Sequence, residues 1–455
     1  MKWVGLMVLV AAIPLLVGWM RRSPDVTPKV LLFMGFLPWA LDFHLYMAII
    51  SWVEWPGFVK GVEFTVLDAL ALAVYFSLPR VRYPRPFRIS MVLYFAAVFL
   101  SVFQASVPMA SLFYLWQLAR MFLVYAAVAR ACVADPRAAP ALMSGMVAGL
   151  FFQAGVVIWE RVALGILQAG GTEGHQNLLG LMSHFVVFPC FALLLTRERR
   201  WLAAVGTLAG VVVQVLTTSR ATIGLAVFGY AAVFLLSAVR YWTLRKALVL
   251  LIGVATVAAL APAVIFSFER RFAVPDYGNY DERAALEKAA AMILSDYPLG
   301  VGANQYVTVA ITEGYSAKAG VAPTLGSMTA HVHNIYWLVA AETGYLGLTA
   351  FVLLLLRPIT VAFLCGWRHK GDPRGDLLLG LGVALLVVYI HSFFEWIFIS
   401  SQVQYMFALE LGLIAALAHQ LGYWRQPSYR RRRLYRQETQ LGIEPLESGP
   451  KRNIR

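Results

Sequence analysis

Residues 201–239 read WLAAVGTLAGVVVQVL, then TTSRA, then TIGLAVFGYAAVFLLSAV, so two apolar runs are joined by a tight turn, Thr217–Ala221. Each run approaches the about 20 residues that a helix needs to cross the hydrocarbon core of a bilayer. Between Arg200 and Arg240 the only charged side chain is Arg220, which lies in that turn. The stretch therefore predicts two membrane-spanning helices with a single arginine at their connection.

Apolar runs of this kind recur from Leu6 to Tyr423. Of the 455 residues, 60% are apolar and 14% are charged, and mean hydropathy is +0.69, whereas soluble domains are roughly 45–50% apolar and about 25% charged. The sequence predicts an all-α polytopic membrane protein with about 12 or 13 transmembrane helices; the first segment, interrupted by Pro14, decides between the two numbers. A soluble enzyme, a secreted disulfide scaffold and a nucleic-acid-binding domain are excluded.

The net charge of +14 reflects clusters of Lys and Arg between alternate spans. Because cytoplasmic loops carry an excess of basic residues, the clustered side is predicted to be cytoplasmic. The C-terminus lies on that side, and the basic tail, residues 425–455, is predicted to be a disordered anchor on anionic membrane lipids. The charge therefore reports orientation and does not indicate a nucleic-acid partner.

The chain divides into three membrane and loop regions before this tail. Residues 1–267 are predicted to form transmembrane helices 1–10, and residues 333–424 the last three. Residues 268–332 contain no spanning run and form one large extracytoplasmic loop. Within it, Asp281–Ser295 is predicted to be a helix that ends at Tyr297-Pro298, with an apolar face that can lie on the membrane surface.

Ionisable groups at the outer ends of the spans are the candidates for function, because charge inside a bilayer is costly. Four outer segments carry them, namely Gly171–Gly180 with His175 and Asn177, Thr217–Ala221 with Arg220, Asp281–Arg283 followed by Pro298–Gly302, and His331–Tyr336 followed by Glu342–Gly344. Each also has a structural interpretation as a capped turn, a snorkelling arginine, a surface helix or a helix start. His331 and His333 have no third ligand nearby, so no metal site is predicted. His391 and Glu395, spaced i, i+4, are expected to satisfy each other.

The sequence resembles the O-antigen ligase and O-antigen polymerase superfamily of bacterial inner membranes. His333–Tyr336 and Ala341–Leu348 are similar to the family's HNxYL and AETGxxGL signatures, with support from Ser219-Arg220, Pro298–Gly302 and Gln176–Leu178. Two positions depart from the pattern. Ala221 replaces a usual glycine, and Ala284–Leu286 stand where a tryptophan is common. The second departure leaves Arg270 and Arg271 as alternatives to Arg283 for the loop arginine.

The resemblance implies a glycosyltransferase that moves a glycan from undecaprenyl diphosphate to an acceptor hydroxyl at the periplasmic face, with inversion and without metal or cofactor. Arg220 and Arg283 are the expected clamp on the diphosphate, because the guanidinium fork binds phosphate oxygens bidentately. His333 is the expected base or the group that orients the acceptor hydroxyl, with His331 in reserve. His331, His175, Asn177 and Asn334 are also expected to bind the diphosphate or the glycan.

The resemblance leaves the acceptor open. Lipid A core defines a ligase, which is the preferred interpretation; a growing glycan defines an exopolysaccharide or O-antigen polymerase, and a protein hydroxyl an oligosaccharyltransferase. A lipid-glycan flippase is the alternative from another class. A transporter of that kind places polar groups near the midplane and on both sides, whereas the motifs gather on the outer face.

Overall fold

The computed structural model describes residues 2–40, 46–79, 86–196, 198, 200–272 and 279–424. The predicted tail, residues 425–455, lies outside the described residues. Helices are numbered in chain order: α1 (Lys2–Arg22), α2 (Val26–Phe36), α3 (Val66–Ser77), α4 (Arg88–Ser101), α5 (Pro108–Ala134), α6 (Ala138–Val162), α7 (Gln176–Thr196), α8 (Arg200–Leu216), α9 (Arg220–Arg240), α10 (Leu244–Phe272), α11 (Asn279–Asp296), α12 (Tyr306–Thr312), α13 (Tyr315–Ala319), α14 (Leu325–Met328), α15 (Ile335–Arg368), α16 (Pro373–His391) and α17 (Ser401–Gln420).

Eight helices in the described ranges are long and apolar enough to cross a membrane, namely α1, α5, α6, α7, α9, α15, α16 and α17. Four further apolar helices, Val26–Trp39, Val66–Ser77, Arg88–Gln104 and Trp201–Leu216, are only 10–17 residues long. The architecture confirms an all-α polytopic membrane protein, and several of the apolar runs form helices shorter than a full span. Helix α10 continues to Phe272, so the predicted boundary at residue 267 falls inside a helix.

A two-stranded antiparallel hairpin forms the only β-sheet in the described residues. Strand β1 (Tyr46–Ser51) pairs with β2 (Gly61–Thr65), with an irregularity in register between Ala48 and Ile50. The loop between the strands is formed by residues 52–60. The aromatic and β-branched residues of β1 favour a strand, but in sequence they read as part of an apolar span.

The core of the bundle is built around α7 and α17, whose spans are each 89% buried. Helix α7 packs against α8, α9 and α16, and α17 packs along α5. The span in α1 is only 6% buried, so its apolar surface faces outward, where the bilayer replaces protein contacts. The described helices therefore form an inner layer of protein-covered spans and an outer layer that faces lipid.

Helices α7, α9, α15 and α17 begin, and α16 ends, at the same end of the bundle, which we call the site end. Hydrogen bonds between the connections establish this arrangement: Thr218 donates its hydroxyl to the Leu167 carbonyl at 2.8 Å, and Asn177 of α7 donates to Glu395, which follows α16. The polar motifs of the sequence thus meet because they occupy equivalent ends of neighbouring helices.

Helix α15 is broken at Gly344, where φ is 66° and ψ is −171°. The loop Pro298–Gly302 enters this break and hydrogen-bonds to it, from Val301 N to the Ala341 carbonyl at 3.1 Å and from Gly302 N to the Glu342 carbonyl at 2.8 Å. A Cβ on Gly344 would lie 2.4 Å from the Pro298 carbonyl oxygen. Two of the motif segments therefore form a backbone-to-backbone joint that requires glycine.

Helix α11 occupies residues Asn279–Asp296, where the sequence predicts a helix from Asp281 to Ser295. Its apolar residues Leu286, Ala290 and Ile293 are at most 1% exposed, and the helix packs against α13 and α15. The expectation that this face lies on the membrane surface is wrong, because the protein itself covers it. Burial fixes the helix and thereby the position of Arg283 on it.

Candidate functional site

The carboxylate of Glu395 is the centre of a polar cluster at the site end. It is 2% exposed and lies in the connection between α16 and α17. His333 contacts one oxygen, with Nδ1 3.3 Å from Oε2, while Arg283 Nη2 donates to Oε1 at 3.3 Å. Asn177 also donates to Oε1. One buried acid thus joins side chains from three of the four motif segments.

Opposing influences set the protonation of Glu395. Burial raises the pKa of a carboxyl group, because it disfavours the charged form. The hydrogen bond to His333 and the charges of His333, Arg283 and His391 act against burial, and the pKa of Glu395 lies below its ordinary value. At neutral pH the group is therefore a carboxylate, and its two oxygens can hold His333, Arg283 and Asn177 at once.

His333 lies two residues before the first residue of α15, and its contact with Glu395 orients the ring. Its side chain is 28% exposed, so the ring has one edge on Glu395 and another edge open. Because the Glu395 carboxylate can only accept, Nδ1 carries the hydrogen in this contact, and in a neutral ring Nε2 is then a proton acceptor. The geometry gives His333 the arrangement of a base that an acid positions.

Asn334 caps α15 instead of facing the open side. Its Oδ1 accepts from Tyr336 N at 3.1 Å and from Trp337 N at 3.4 Å, and its Nδ2 donates to Glu287 of α11 at 3.2 Å. These bonds satisfy N–H groups that a helix start leaves without partners. The structure thus gives the predicted glycan-binding residue Asn334 a positioning role, since it fixes the helix start beside His333 and ties α11 to α15.

Arg283 is held by its partners but not enclosed. Its Nη1 donates to the Phe394 carbonyl at 3.3 Å, in addition to the bond from Nη2 to Glu395, and the side chain is 39% exposed. A guanidinium has five N–H donors, so further donors remain for an anion. The alternatives Arg270 and Arg271 lie near the end of α10, and their side chains are outside the described part of the chain.

The Gly171–Gly180 segment places His175 and Asn177 at the start of α7. Its turn is fixed by the Glu160 carboxylate, which accepts from Gly171 N at 2.8 Å. Burial lowers the pKa of His175, the Glu395 carboxylate acts in the opposite direction, and His333 lowers it again, with a net decrease. His175 is therefore close enough to Glu395 and His333 to feel their charges. Because its pKa is lowered, its ring is predominantly neutral at neutral pH.

The Thr217–Ala221 turn presents Arg220 as the first residue of α9. Thr218 adopts a left-handed conformation with φ of 46°, which is uncommon for a residue other than glycine. Ser219 caps the helix by accepting from Thr222 N at 3.3 Å. Thr217, Thr218 and Ser219 are buried while Arg220 is exposed. The turn is therefore built into the protein, and it holds the arginine outward at the site end.

His331 lies in an aromatic stack beside the cluster. Its ring stacks on Trp396, with centroids 4.5 Å apart, and meets Phe58 edge-on at 6.2 Å. Burial lowers the pKa of His331 to about 4, and the charges of His333 and Lys60 act in the same direction. A ring that stays neutral at neutral pH and is packed between aromatic side chains is better suited to shaping the site than to proton transfer.

Glu395 is the residue that sequence reasoning assigned to the wrong partner. The i, i+4 pairing with His391 requires a continuous helix, but α16 ends at His391. Both ring nitrogens of His391 are buried without a hydrogen-bond partner among the described residues. The sequence did indicate that Glu395 could belong to a site, because it is an acid among aromatic residues at the outer end of a predicted span.

Among the described residues, no three His, Cys, Asp or Glu side chains are grouped so that they could hold a metal ion. The cluster offers one carboxylate, whose contacts to His333, Arg283 and Asn177 are given above. Such an arrangement of side chains can bind an anion and accept a proton.

The fold and the cluster define a polytopic membrane protein with cationic and proton-accepting side chains at one end of its helix bundle. Residues 203–352 match the model of the O-antigen ligase family, which supports the resemblance to the O-antigen ligase and polymerase superfamily. At the family level the match supports a membrane glycosyltransferase of the ligase or polymerase kind. The matched segment includes Arg220, Arg283 and His333, whereas Glu395 lies beyond it. Comparison with curated proteins gives no match.

Proposed function

We propose that the protein is an O-antigen ligase, which transfers a glycan from undecaprenyl diphosphate to a hydroxyl of lipid A core. The proposal places the protein in the bacterial inner membrane with the site end in the periplasm and the C-terminus in the cytoplasm. The observation that supports it most is the convergence of Arg283 and His333 on Glu395. An anion-binding group and a proton acceptor, held by one buried acid, are what this transfer needs.

His333 is proposed to take the proton of the acceptor. The acceptor oxygen forms a bond to the anomeric carbon of the donor glycan as its proton passes to Nε2. Glu395, in contact with Nδ1 at 3.3 Å, stabilises the imidazolium that results. Because the oxygen attacks opposite the leaving group, the anomeric configuration inverts.

Arg283 and Arg220 are proposed to bind the diphosphate. As the bond between the anomeric carbon and the phosphate oxygen breaks, the diphosphate leaves with the electron pair and gains negative charge. Exposed guanidinium groups already in place stabilise that charge without reorganisation. Arg283 is fixed by α11 and Glu395, and Arg220 by the buried turn that precedes α9. His175 and Asn177 are proposed to line the same space at the start of α7.

Purified protein with one undecaprenyl diphosphate-linked glycan tests the acceptor directly. Transfer to lipid A core supports the ligase, transfer to the free glycan a polymerase, and transfer to a peptide an oligosaccharyltransferase. Release of the diphosphate lipid only when an acceptor is present separates all three from a flippase. A protein that moves the intact lipid across vesicles without releasing the diphosphate would contradict the proposal.

The diphosphate clamp is tested by removing each arginine in turn. Arg283→Ala and Arg220→Ala are expected to lower turnover by about 10²–10³-fold, as loss of a group that stabilises transition-state charge does. Both are also expected to weaken binding of undecaprenyl diphosphate, measured by displacement of a labelled lipid.

Lys288→Ala is the matched control for Arg283→Ala, because Lys288 is an exposed cation on the same helix, α11. It should leave turnover and lipid binding at the wild-type level. Full activity of Arg283→Ala, or an equal loss with Lys288→Ala, would reject the assignment of Arg283 to the clamp.

A further inference from the structure

A cavity of about 510 Å³ lies between the hairpin and the beginning of α17. Its walls include Ala48 and Glu63 from the two strands, Gln117 from α5, and Ser401 and Gln402 from the first turn of α17. Its volume is in the range of about 300–1,000 Å³ that small-molecule sites occupy. The cavity lies beside the first turn of α17, which begins at the site end, and shares no lining residue with the Glu395 cluster.

The wall formed by the hairpin is fixed. Asn304, with φ of 63°, accepts from Val59 N through its side chain at 3.1 Å and donates to the Val59 carbonyl at 2.7 Å. The Trp55 indole donates to the Asn304 carbonyl at 3.2 Å. These bonds fasten the loop of the hairpin to the loop that precedes α12. The cavity is therefore formed before any ligand arrives, which lowers the entropic cost of binding.

The polar groups of the wall suit a ligand that is uncharged and rich in hydroxyls. Lys60 and Glu63 are the charged residues of the lining, and their formal charges cancel. The other polar side chains of the lining carry hydroxyl or amide groups, which both donate and accept hydrogen bonds; they belong to Tyr46, Ser51, Thr65, Gln117, Ser401 and Gln402. A diphosphate requires an excess of donors and positive charge, so this lining does not suit it. A sugar hydroxyl needs donors and acceptors in equal measure.

Glu63 lines the cavity, and an ion pair with the buried Arg120 holds its side chain in position. Its carboxylate lies 3.7 Å from Arg120 and is 32% exposed, while Arg120 is 3% exposed and contacts the fully buried Asp68 at 3.4 Å. Burial raises the pKa of Glu63, and the Arg120 charge opposes that rise. Glu63 thus presents a fixed hydrogen-bond acceptor to the cavity from a rigid strand.

A short aromatic bridge joins the cavity to the Glu395 cluster. Phe58 lines the cavity and packs against Trp396, with ring centroids 4.7 Å apart. Trp396 directly follows Glu395 in the chain and stacks on His331. Lys60 of the cavity wall is close enough to act on the charge of His331. The wall of the cavity therefore reaches the neighbours of His333.

We infer that this cavity binds the acceptor sugar, with the ring in the cavity and the reacting hydroxyl directed past Phe58 towards His333. The inference rests on the proposed glycan transfer and assigns the acceptor and the donor to different sides of the cluster. The diphosphate binds at the arginines, the acceptor binds at the hairpin, and the new bond forms between them. The acceptor is recognised by its neutral sugar surface, which distinguishes it from a peptide.

The test fills the cavity with a large side chain. Ala48→Trp places an indole in the lining, whereas Ile50→Trp places the same group on an exposed residue of the same strand that does not line the cavity. With core oligosaccharide as the acceptor, Ala48→Trp should raise its KM by about tenfold or more, the equivalent of one or two lost hydrogen bonds. The donor KM should not change, and Ile50→Trp should match the wild type.

A binding measurement without donor separates this inference from the proposed function. Saturation-transfer NMR on the full-length protein in detergent uses delipidated core oligosaccharide as the probe, with a serine-containing peptide for comparison. Sugar signals in the wild type and in Ile50→Trp that disappear in Ala48→Trp support the site even if the wild type proves inactive. Equal sugar signals in both variants, or a signal from the peptide instead of the sugar, would overturn it.

A milder variant guards against misfolding of Ala48→Trp. Glu63→Gln keeps the shape of the side chain and removes the acceptor charge, and it should raise the acceptor KM several-fold without affecting the donor. An unchanged acceptor KM in this variant, together with an unchanged KM in Ala48→Trp, rejects the hairpin cavity as the acceptor site.

Discussion

Two arginine–carboxylate clusters of similar geometry occupy different environments in this protein. Arg120 lies 3.4 Å from Asp68, and Arg283 lies 3.3 Å from Glu395. In the first pair both side chains are at most 3% exposed, and the Tyr405 hydroxyl donates to Asp68 at 2.8 Å. In the second pair only the acid is buried. The contact distance is therefore the same, but only one of the two arginines can meet a ligand.

The difference in exposure between Arg120 and Arg283 indicates that the first cluster stabilises the fold, whereas the second can bind a ligand. Breaking a buried ion pair is costly because the remaining charge has no solvent, so Arg120 is committed to Asp68 and Glu63. Around Glu395 the buried acid holds Arg283 and His333 in place while both reach the open side. A buried acid with exposed partners is the arrangement that preorganises cations for an incoming anion.

The largest effect is expected on activity, and it is expected at the cluster of Glu395, Arg283 and His333. His333→Phe should lower turnover by about 10²–10⁴-fold, the usual contribution of general acid–base catalysis, while donor lipid still binds. His331→Phe is the matched control, because it keeps an aromatic ring against Trp396 and should retain most of the activity. Steady-state transfer rates measured with both variants decide the matter. Loss of activity with His331→Phe alone would transfer the role of base to His331.

At the buried cluster of Arg120, Asp68 and Glu63, the expected effect is on stability. Arg120→Met leaves Asp68 buried without its cation and should lower the free energy of unfolding by about 3–5 kcal/mol. Arg283→Met should change it by about 1 kcal/mol or less, since that side chain is partly solvated. Unfolding in detergent by heat or denaturant measures both. An equal loss in the two variants would contradict the contrast between the clusters.

The smallest effect is expected from titrating Glu395. Its pKa is lowered in the folded protein, so its ion pairs stabilise the fold above the pKa of an unfolded glutamate, about 4.3. That stability is lost as the pH falls through the lowered pKa. On acidification from neutral pH, the wild type should lose more of its stability than Glu395→Gln does. A wild-type stability that stays level with that of Glu395→Gln over this range would show that the carboxylate is not held by its partners.

The helical class and the assembly of the motifs could be predicted from the sequence, for one physical reason. A chain that crosses hydrocarbon must satisfy its backbone internally, so spans appear as long apolar runs, and alternation of the spans brings every second connection to the same side. Asn177, Arg283 and His333 are distant in sequence, and this alternation predicts that they share one end of the bundle.

The parts that could not be predicted depend on contacts between distant segments. The break of α15 at Gly344 exists because the loop Pro298–Gly302 fills it, and nothing in Ala341–Leu348 alone prevents a straight helix. The partner of Glu395 could not be chosen by spacing, because the end of α16 decides whether His391 shares its helix. The hairpin was missed since a short apolar strand and a short apolar helix look alike in sequence.

The break in α15 also fixes a distance, because it divides the helix into two pieces of defined length. The residues after Gly344 up to Arg368 form a rod of about 36 Å at 1.5 Å per residue, close to the thickness of a bilayer core, and Ile335–Thr343 extend it by about 13 Å. The length of that upper piece sets the height of His333 above the joint. One inserted residue would lift the histidine by about 1.5 Å and swing it by about 100° around the helix axis. The number of residues between Asn334 and Gly344 therefore sets the position of the proposed proton acceptor relative to the joint.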